Sequence, residues 1–159
     1  MKKSLSVILA LAILLSLAIP CSAATVSSDW EGVGVSPVPP MDQPLPFGTE
    51  PPDGIPAYNC HTNGAKSFSG SASWSTLWLN QYINGCLRYS VYVNNLSSQT
   101  LTFTVRGVSG GDRTLTLPGN TNSNAYYGGL NFYVDSRNTL FCISFDAPSN
   151  FSGYVSCAD

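Results

Sequence analysis

The stretch CLRYSVYVNNLSSQTLTFTV, Cys86 to Val105, decides the fold. Leu87, Tyr89, Val91 and Val93 alternate with Arg88, Ser90 and Tyr92, so successive side chains point to opposite faces of a strand. After the polar run Asn94 to Gln99 the alternation resumes, with Leu101, Phe103 and Val105 on one parity and Thr100, Thr102 and Thr104 on the other. Pairing Val93 with Leu101 as a hairpin keeps every apolar residue of both strands on one face. Burial of that face penalises a slip of one residue. The pattern predicts antiparallel sheet with one wet side.

Working outward, the neighbouring segments also read as short strands. Ser67 to Trp74 alternates Phe68, Gly70, Ala72 and Trp74 with serines, Thr76 to Tyr82 carries Leu77, Trp78 and Leu79, and Asn84-Gly85 is a turn signal. Arg113 to Leu117 and Tyr126 to Val134 follow, the second interrupted by Gly128-Gly129. Near the end, Phe141, Ile143 and Phe145 alternate inward, Ala147-Pro148-Ser149 turns, and Phe151, Gly153 and Val155 follow. Pairing Phe145 with Phe151 as a second hairpin puts all of them on one side. Many short strands without helical periodicity predict an all-β, disulfide-stabilised antiparallel β-sandwich, immunoglobulin-like or jelly-roll, over residues 57–159. The Cys…Trp…Cys order of a true immunoglobulin domain is absent.

Ahead of that domain, Lys2 and Lys3 precede an apolar run from Leu5 to Ile19, then Pro20 and the small residues Cys21 to Ala24. This is the pattern of a secretory signal peptide over residues 1–24, and the run falls short of a membrane-spanning helix. Cys21 invites a lipid anchor as the alternative, but Pro20 stands where lipoprotein signals carry a small residue. Residues 25–56 hold Pro37, Pro39, Pro40, Pro44, Pro46, Pro51, Pro52 and Pro56 with acids and no basic residue. They predict an acidic, disordered proline-rich linker, since proline removes backbone donors and favours an extended spacer. The expected localisation is secreted, with no transmembrane segment in the mature chain.

With Cys21 removed, Cys60, Cys86, Cys142 and Cys157 remain, an even set that predicts two disulfides in an exported chain. The second hairpin would put Cys142 and Cys157 on opposite parities, whereas Cys86 shares the outer parity of Arg88 and Ser90. The expected pairs are therefore Cys86–Cys142 and Cys60–Cys157. Wide cysteine spacing and a single histidine, His61, argue against a zinc site.

Chemistry is sparse. Lys2 and Lys3 lie in the leader, which leaves five basic against nine acidic residues and no basic patch for nucleic acid. The aspartates of the domain, Asp112, Asp135, Asp146 and Asp159, sit at turns or at the terminus, and no Gly-x-Ser-x-Gly motif accompanies His61. No catalytic residue, cofactor or metal is expected; a calcium site from Asp135, Asn138, Asp146 and Asn150 lacks acids at alternating positions. Aromatic rings are the one enrichment. Trp74, Trp78, Tyr92, Tyr126 and Tyr127, with Arg88 beside Tyr92, are the ligand-binding candidates. Such rings stack on sugars or anchor a protein interface. The expectation is an exported, non-catalytic binding or surface module whose leading ligand is polysaccharide. A structural or protein-binding cell-envelope protein of bacterial type, meeting another surface protein, is the alternative. A secreted hydrolase comes third.

Overall fold

The computed structural model describes residues 29–38, 40, 57–120 and 126–158. They form an all-β antiparallel sandwich of two five-stranded sheets stabilised by a disulfide. Sheet A runs from edge to edge as β1 (Trp30–Val33), β4 (Lys66–Ala72), β12 (Ser149–Cys157), β7 (Arg88–Asn95) and β10 (Tyr126–Tyr133). Sheet B runs as β2 (Val35–Ser36), β5 (Leu77–Leu79), β11 (Cys142–Phe145), β8 (Leu101–Arg106) and β9 (Arg113–Leu117). A small parallel pair, β3 (Ala57–Asn59) with β6 (Tyr82–Asn84), and the single helical turn α1 (Cys60–Asn63) complete the described elements. No helix among the described residues is long and apolar enough to cross a membrane.

From β4 onward the chain changes sheet between successive strands of the two sheets, except at the β8–β9 hairpin. Eight strands wound in this way make a jelly roll. Neither hairpin read from the sequence exists, because β7 and β8 lie in different sheets, as do β11 and β12. Val93 pairs with Gly153 and Gly128, and Phe145 pairs with Leu77 and Phe103. The physical reason is that parity fixes which face a side chain takes but not which strand lies beside it. Two inward-facing strands satisfy the same pattern side by side or opposed across the core. Asn95 helps to fix the crossing from β7 to β8. Fully buried, it donates from Nδ2 to the carbonyls of Gln99 and Pro118, both at 2.8 Å, and accepts from the Ser97 N–H at 3.0 Å.

The inward residues themselves are as read. Tyr89, Val91, Val93, Leu101, Phe103, Val105, Ile143, Phe145, Phe151 and Val155 are all buried. Phe145 of sheet B stacks on Phe151 of sheet A with ring centroids 3.8 Å apart, and Phe68 leans on both. Each such ring contributes about 1.5–3 kcal/mol by leaving water. Leu87 is the exception: it precedes β7 and stays exposed.

Two strands arise before Ala57, inside the segment read as linker. β1 pairs with β4 and β2 with β5, so the sandwich takes in Trp30 to Ser36. Only Gly34 separates them, and its φ of +74°, open chiefly to glycine, accommodates the step between sheets. Four- and two-residue strands beside prolines carry too little pattern to be legible in sequence. The expected signal peptide with Cys21, and most of the proline-rich stretch, lie outside the described residues.

The disulfide pairing also departs from expectation. Cys86 bonds Cys157 across a Cα separation of 5.7 Å, while Cys60 and Cys142 are buried free thiols. Neither Cys86–Cys142 nor Cys60–Cys157 forms. Cys86 precedes the first residue of β7, so strand parity does not extend to it. After Gly85, at φ +103°, it turns into the core beside the end of β12, where Cys157 pairs with Tyr89. Cys142 instead packs with Tyr82, Leu140 and Trp78, away from the main core. The Sγ of Cys60 faces the Val155 carbonyl at 3.9 Å. Burial pushes both free thiols up to about 11, so both stay protonated and inert near neutral pH.

Candidate binding face

The outer surface of sheet A gathers the sequence candidates selectively. Strand pleat sends Tyr154, Tyr92 and Tyr127 to this surface from three adjacent strands, β12, β7 and β10. Tyr154 lies directly opposite Tyr92, and Tyr127 lies diagonally across from it because Gly129 is the direct partner of Tyr92. The rings are near-parallel. Tyr92 and Tyr154 have centroids 5.6 Å apart at 21°, and Tyr92 and Tyr127 are 5.8 Å apart at 27°. All three remain open to solvent, at 41%, 38% and 59% for Tyr154, Tyr92 and Tyr127.

Small polar groups surround this row. Ser67, Ser69 and Ser71 come from β4, Ser152 and Ser156 from β12, and Asn94 and Ser90 from β7. None of the hydroxyls of Ser67, Ser69, Ser71, Ser152 and Ser156 has a partner among the described residues, while Ser90 donates to Asn131 at 2.6 Å. Charge is confined to the margins. Glu31 stands on edge strand β1, and Arg88 lies over the Tyr133 ring at 4.8 Å. Such a surface offers π-faces, hydroxyl donors and acceptors, and almost no net field.

The remaining candidates go elsewhere. Tyr126 has the opposite parity to Tyr127 and lies outside the stacked row. Trp78 belongs to sheet B, pairs with Ser36 and Ser144, and lies under the Arg106 guanidinium at 5.4 Å. Trp74, 86% exposed, sits in the loop that leaves sheet A after β4. Trp74 and Trp78 do not share a face, because the chain changes sheets between them. Tyr154 and Tyr133 were missed. The signal for Tyr154 was present in the alternation of Asn150, Ser152 and Tyr154 against Phe151, Gly153 and Val155.

Three aspartates of the domain are split between the two ends of β8. Asp112 pairs with Arg106 at 2.9 Å, and Asp135 accepts from the Ser109 hydroxyl beyond the end of β8. The Asp146 N–H donates to Thr102 near the start of that strand, at its opposite end. The calcium set imagined from Asp135 and Asp146 is therefore split between two ends of the sandwich. His61 lies within 4.8 Å of the sulfurs of Cys86 and Cys157. With both sulfurs in the disulfide, that cluster leaves a metal one imidazole.

No protein-family model and no curated protein matches the chain. Among solved structures it is similar to the carbohydrate-binding module TmCBM61 in complex with β-1,4-galactotriose, at 13% identity and a TM-score of 0.31. The likeness covers 57% of this chain and spans 61% of the length of that one. At this level the ligand must be argued from the residues themselves.

Proposed function

We propose that the chain is an exported, non-catalytic module that binds a neutral polysaccharide on the outer face of sheet A. The observation that carries it is the row Tyr154, Tyr92 and Tyr127, three near-parallel exposed rings set among serines and asparagines. A pyranose presents C–H groups to an aromatic face and hydroxyls to its flanks, and this surface supplies a partner for each. A near-neutral face does not compensate a charged ligand for lost hydration. Export accords with the Cys86–Cys157 disulfide, which oxidising compartments preserve. Asp112 is engaged by Arg106 and Asp135 by the Ser109 hydroxyl, and Asp146 lies at the far end of β8, which supports binding over hydrolysis by two carboxylates flanking one bond.

The test is a glycan array of neutral and acidic oligosaccharides, probed with the purified chain and with Tyr92→Ala. Tyr92 contacts both other rings, so its loss should weaken retention of neutral glycans at least ~10-fold, equivalent to about 1.4 kcal/mol. The loss of two exposed stacks costs ~1–2 kcal/mol of stability, leaving the domain folded. Retention unchanged by Tyr92→Ala would remove sheet A as the site. Failure to retain any glycan would turn the assignment to a protein partner on the cell surface.

A further inference from the structure

We propose that the hollow beside Trp74, at the loop end of the sandwich, is a second sugar site that continues the track of the tyrosine row. This rests on the carbohydrate reading of sheet A. The hollow has a volume of about 680 Å³ and lies among the turns that follow β4, β7 and β11. Ser71, Ser73, Ser97, Ser98, Ser149 and Asn150 supply its polar lining, and no lining residue is charged.

Two observations give this hollow the character of a site. The first is Trp74 itself, whose indole is 86% exposed although the backbone carrying it is held firmly. The Asp29 carboxylate accepts from the N–H of Trp74 at 3.2 Å, the N–H of Ser75 at 2.8 Å and the Ser75 hydroxyl at 3.0 Å. The Ser73 N–H adds a bond to the Asp29 carbonyl at 3.0 Å. A large apolar ring presented to water from a clamped loop is arranged for stacking, with little loop order left to impose on binding. The second is continuity. A smaller hollow of about 320 Å³ over Glu31, Val33, Ser69 and Leu96 shares Ser71 and Asn150 with the first. The two join the Trp74 loop to the face that bears the tyrosines.

The chemistry of the lining selects the occupant. One indole face and a ring of hydroxyl and amide groups, without a cation or carboxylate, match a neutral saccharide unit. An acidic sugar would lose hydration without a counter-charge. One glycan could thus lie across the tyrosines and place its end or a branch against Trp74, the linked contacts raising affinity beyond either alone.

The experiment is amide and indole NMR of the full chain titrated separately with maltose, cellobiose, xylobiose, lactose and, as the acidic probe, digalacturonic acid. The expected result is that at least one neutral disaccharide shifts the Trp74 indole N–H and the amides of Ser97, Ser98 and Ser149, and digalacturonic acid does not. Trp74→Ala should then weaken that response at least tenfold while leaving the rest of the spectrum folded. Shifts confined to Asn94, Ser152 and Tyr154 would overturn the second site and leave the tyrosine face standing. Shifts confined to the hollow would support the second site and remove the tyrosine face. Shifts in neither place would overturn both, and a response to the acidic probe alone would overturn the neutral class. A hollow response unchanged by Trp74→Ala would overturn the role given to the indole.

Discussion

The two outer faces of the sandwich are built from similar residues and end in opposite conditions. On sheet B the polar side chains satisfy one another. Thr102 bonds Thr116 at 3.1 Å and Thr104 bonds Thr114 at 3.0 Å across the β8–β9 ladder. Arg106 donates to Ser144 at 3.1 Å, pairs with Asp112 and covers the Trp78 ring. Together with Tyr82 and Leu140, Trp78 seals Cys142 beneath this face. On sheet A, Ser67, Ser69, Ser71, Ser152 and Ser156 have no such partners among the described residues, and the tyrosines stack while still presenting much of their surface to water. A sheet face becomes competent for a ligand less by its composition than by how little of that composition is consumed internally.

The covalent asymmetry between the faces gives the largest expected effect. The Cys86–Cys157 bond ties the start of β7 to the end of β12, two strands that carry the tyrosine row, across a sequence separation of 71. In the chain-entropy account, removing it with Cys86→Ala/Cys157→Ala costs ~4 kcal/mol, read by thermal or denaturant unfolding. Cys142→Ala on the sealed face should cost only ~1 kcal/mol. Equal losses would erase the distinction.

Arg106→Ala sharpens the comparison from the other side. It removes a half-exposed ion pair worth little, a cation–π contact, and the partner of a fully buried Ser144 hydroxyl. The expected cost is ~1–2 kcal/mol, most of it from the stranded hydroxyl. Cys142 should become faster to alkylate as its cover loosens, with glycan retention unchanged. Lost retention would show that sheet B takes part in binding.

The smallest effect concerns pH. The Ser75 hydroxyl bond, against a smaller opposing effect of burial and aided by the backbone N–H groups of Ser75 and Trp74, holds the Asp29 carboxyl below its ordinary 3.8. A depressed carboxyl pKa adds stability that is complete above the unfolded value and is lost as pH falls through the folded one. The Trp74 loop should therefore be insensitive from neutrality down to about pH 5 and should loosen only in stronger acid. Amide shifts of Trp74 and Ser75 followed against pH report the step, and Asp29→Asn should abolish it. A midpoint above the ordinary aspartate range would overturn the clamp.

Much of this protein is written in local pattern. Alternation along residues 88–106 and 141–155 identifies the core residues, because a strand points successive side chains to opposite sides and only one side can be dry. It also places Arg88 and Tyr92 outward, and it separates Tyr126 from Tyr127. An all-β sandwich follows from those strands. Their partners do not follow, because a strand opposed across the core and a strand alongside it demand the same parity. Only the tertiary structure decides that Phe145 meets Phe151 through stacked rings and not through a ladder. The same choice brings Cys86 to Cys157, sends Trp78 to sheet B, and draws Tyr154, Tyr92 and Tyr127 into one row from strands far apart in the chain. Side-chain direction is local, but adjacency is set by which sheet each crossing reaches.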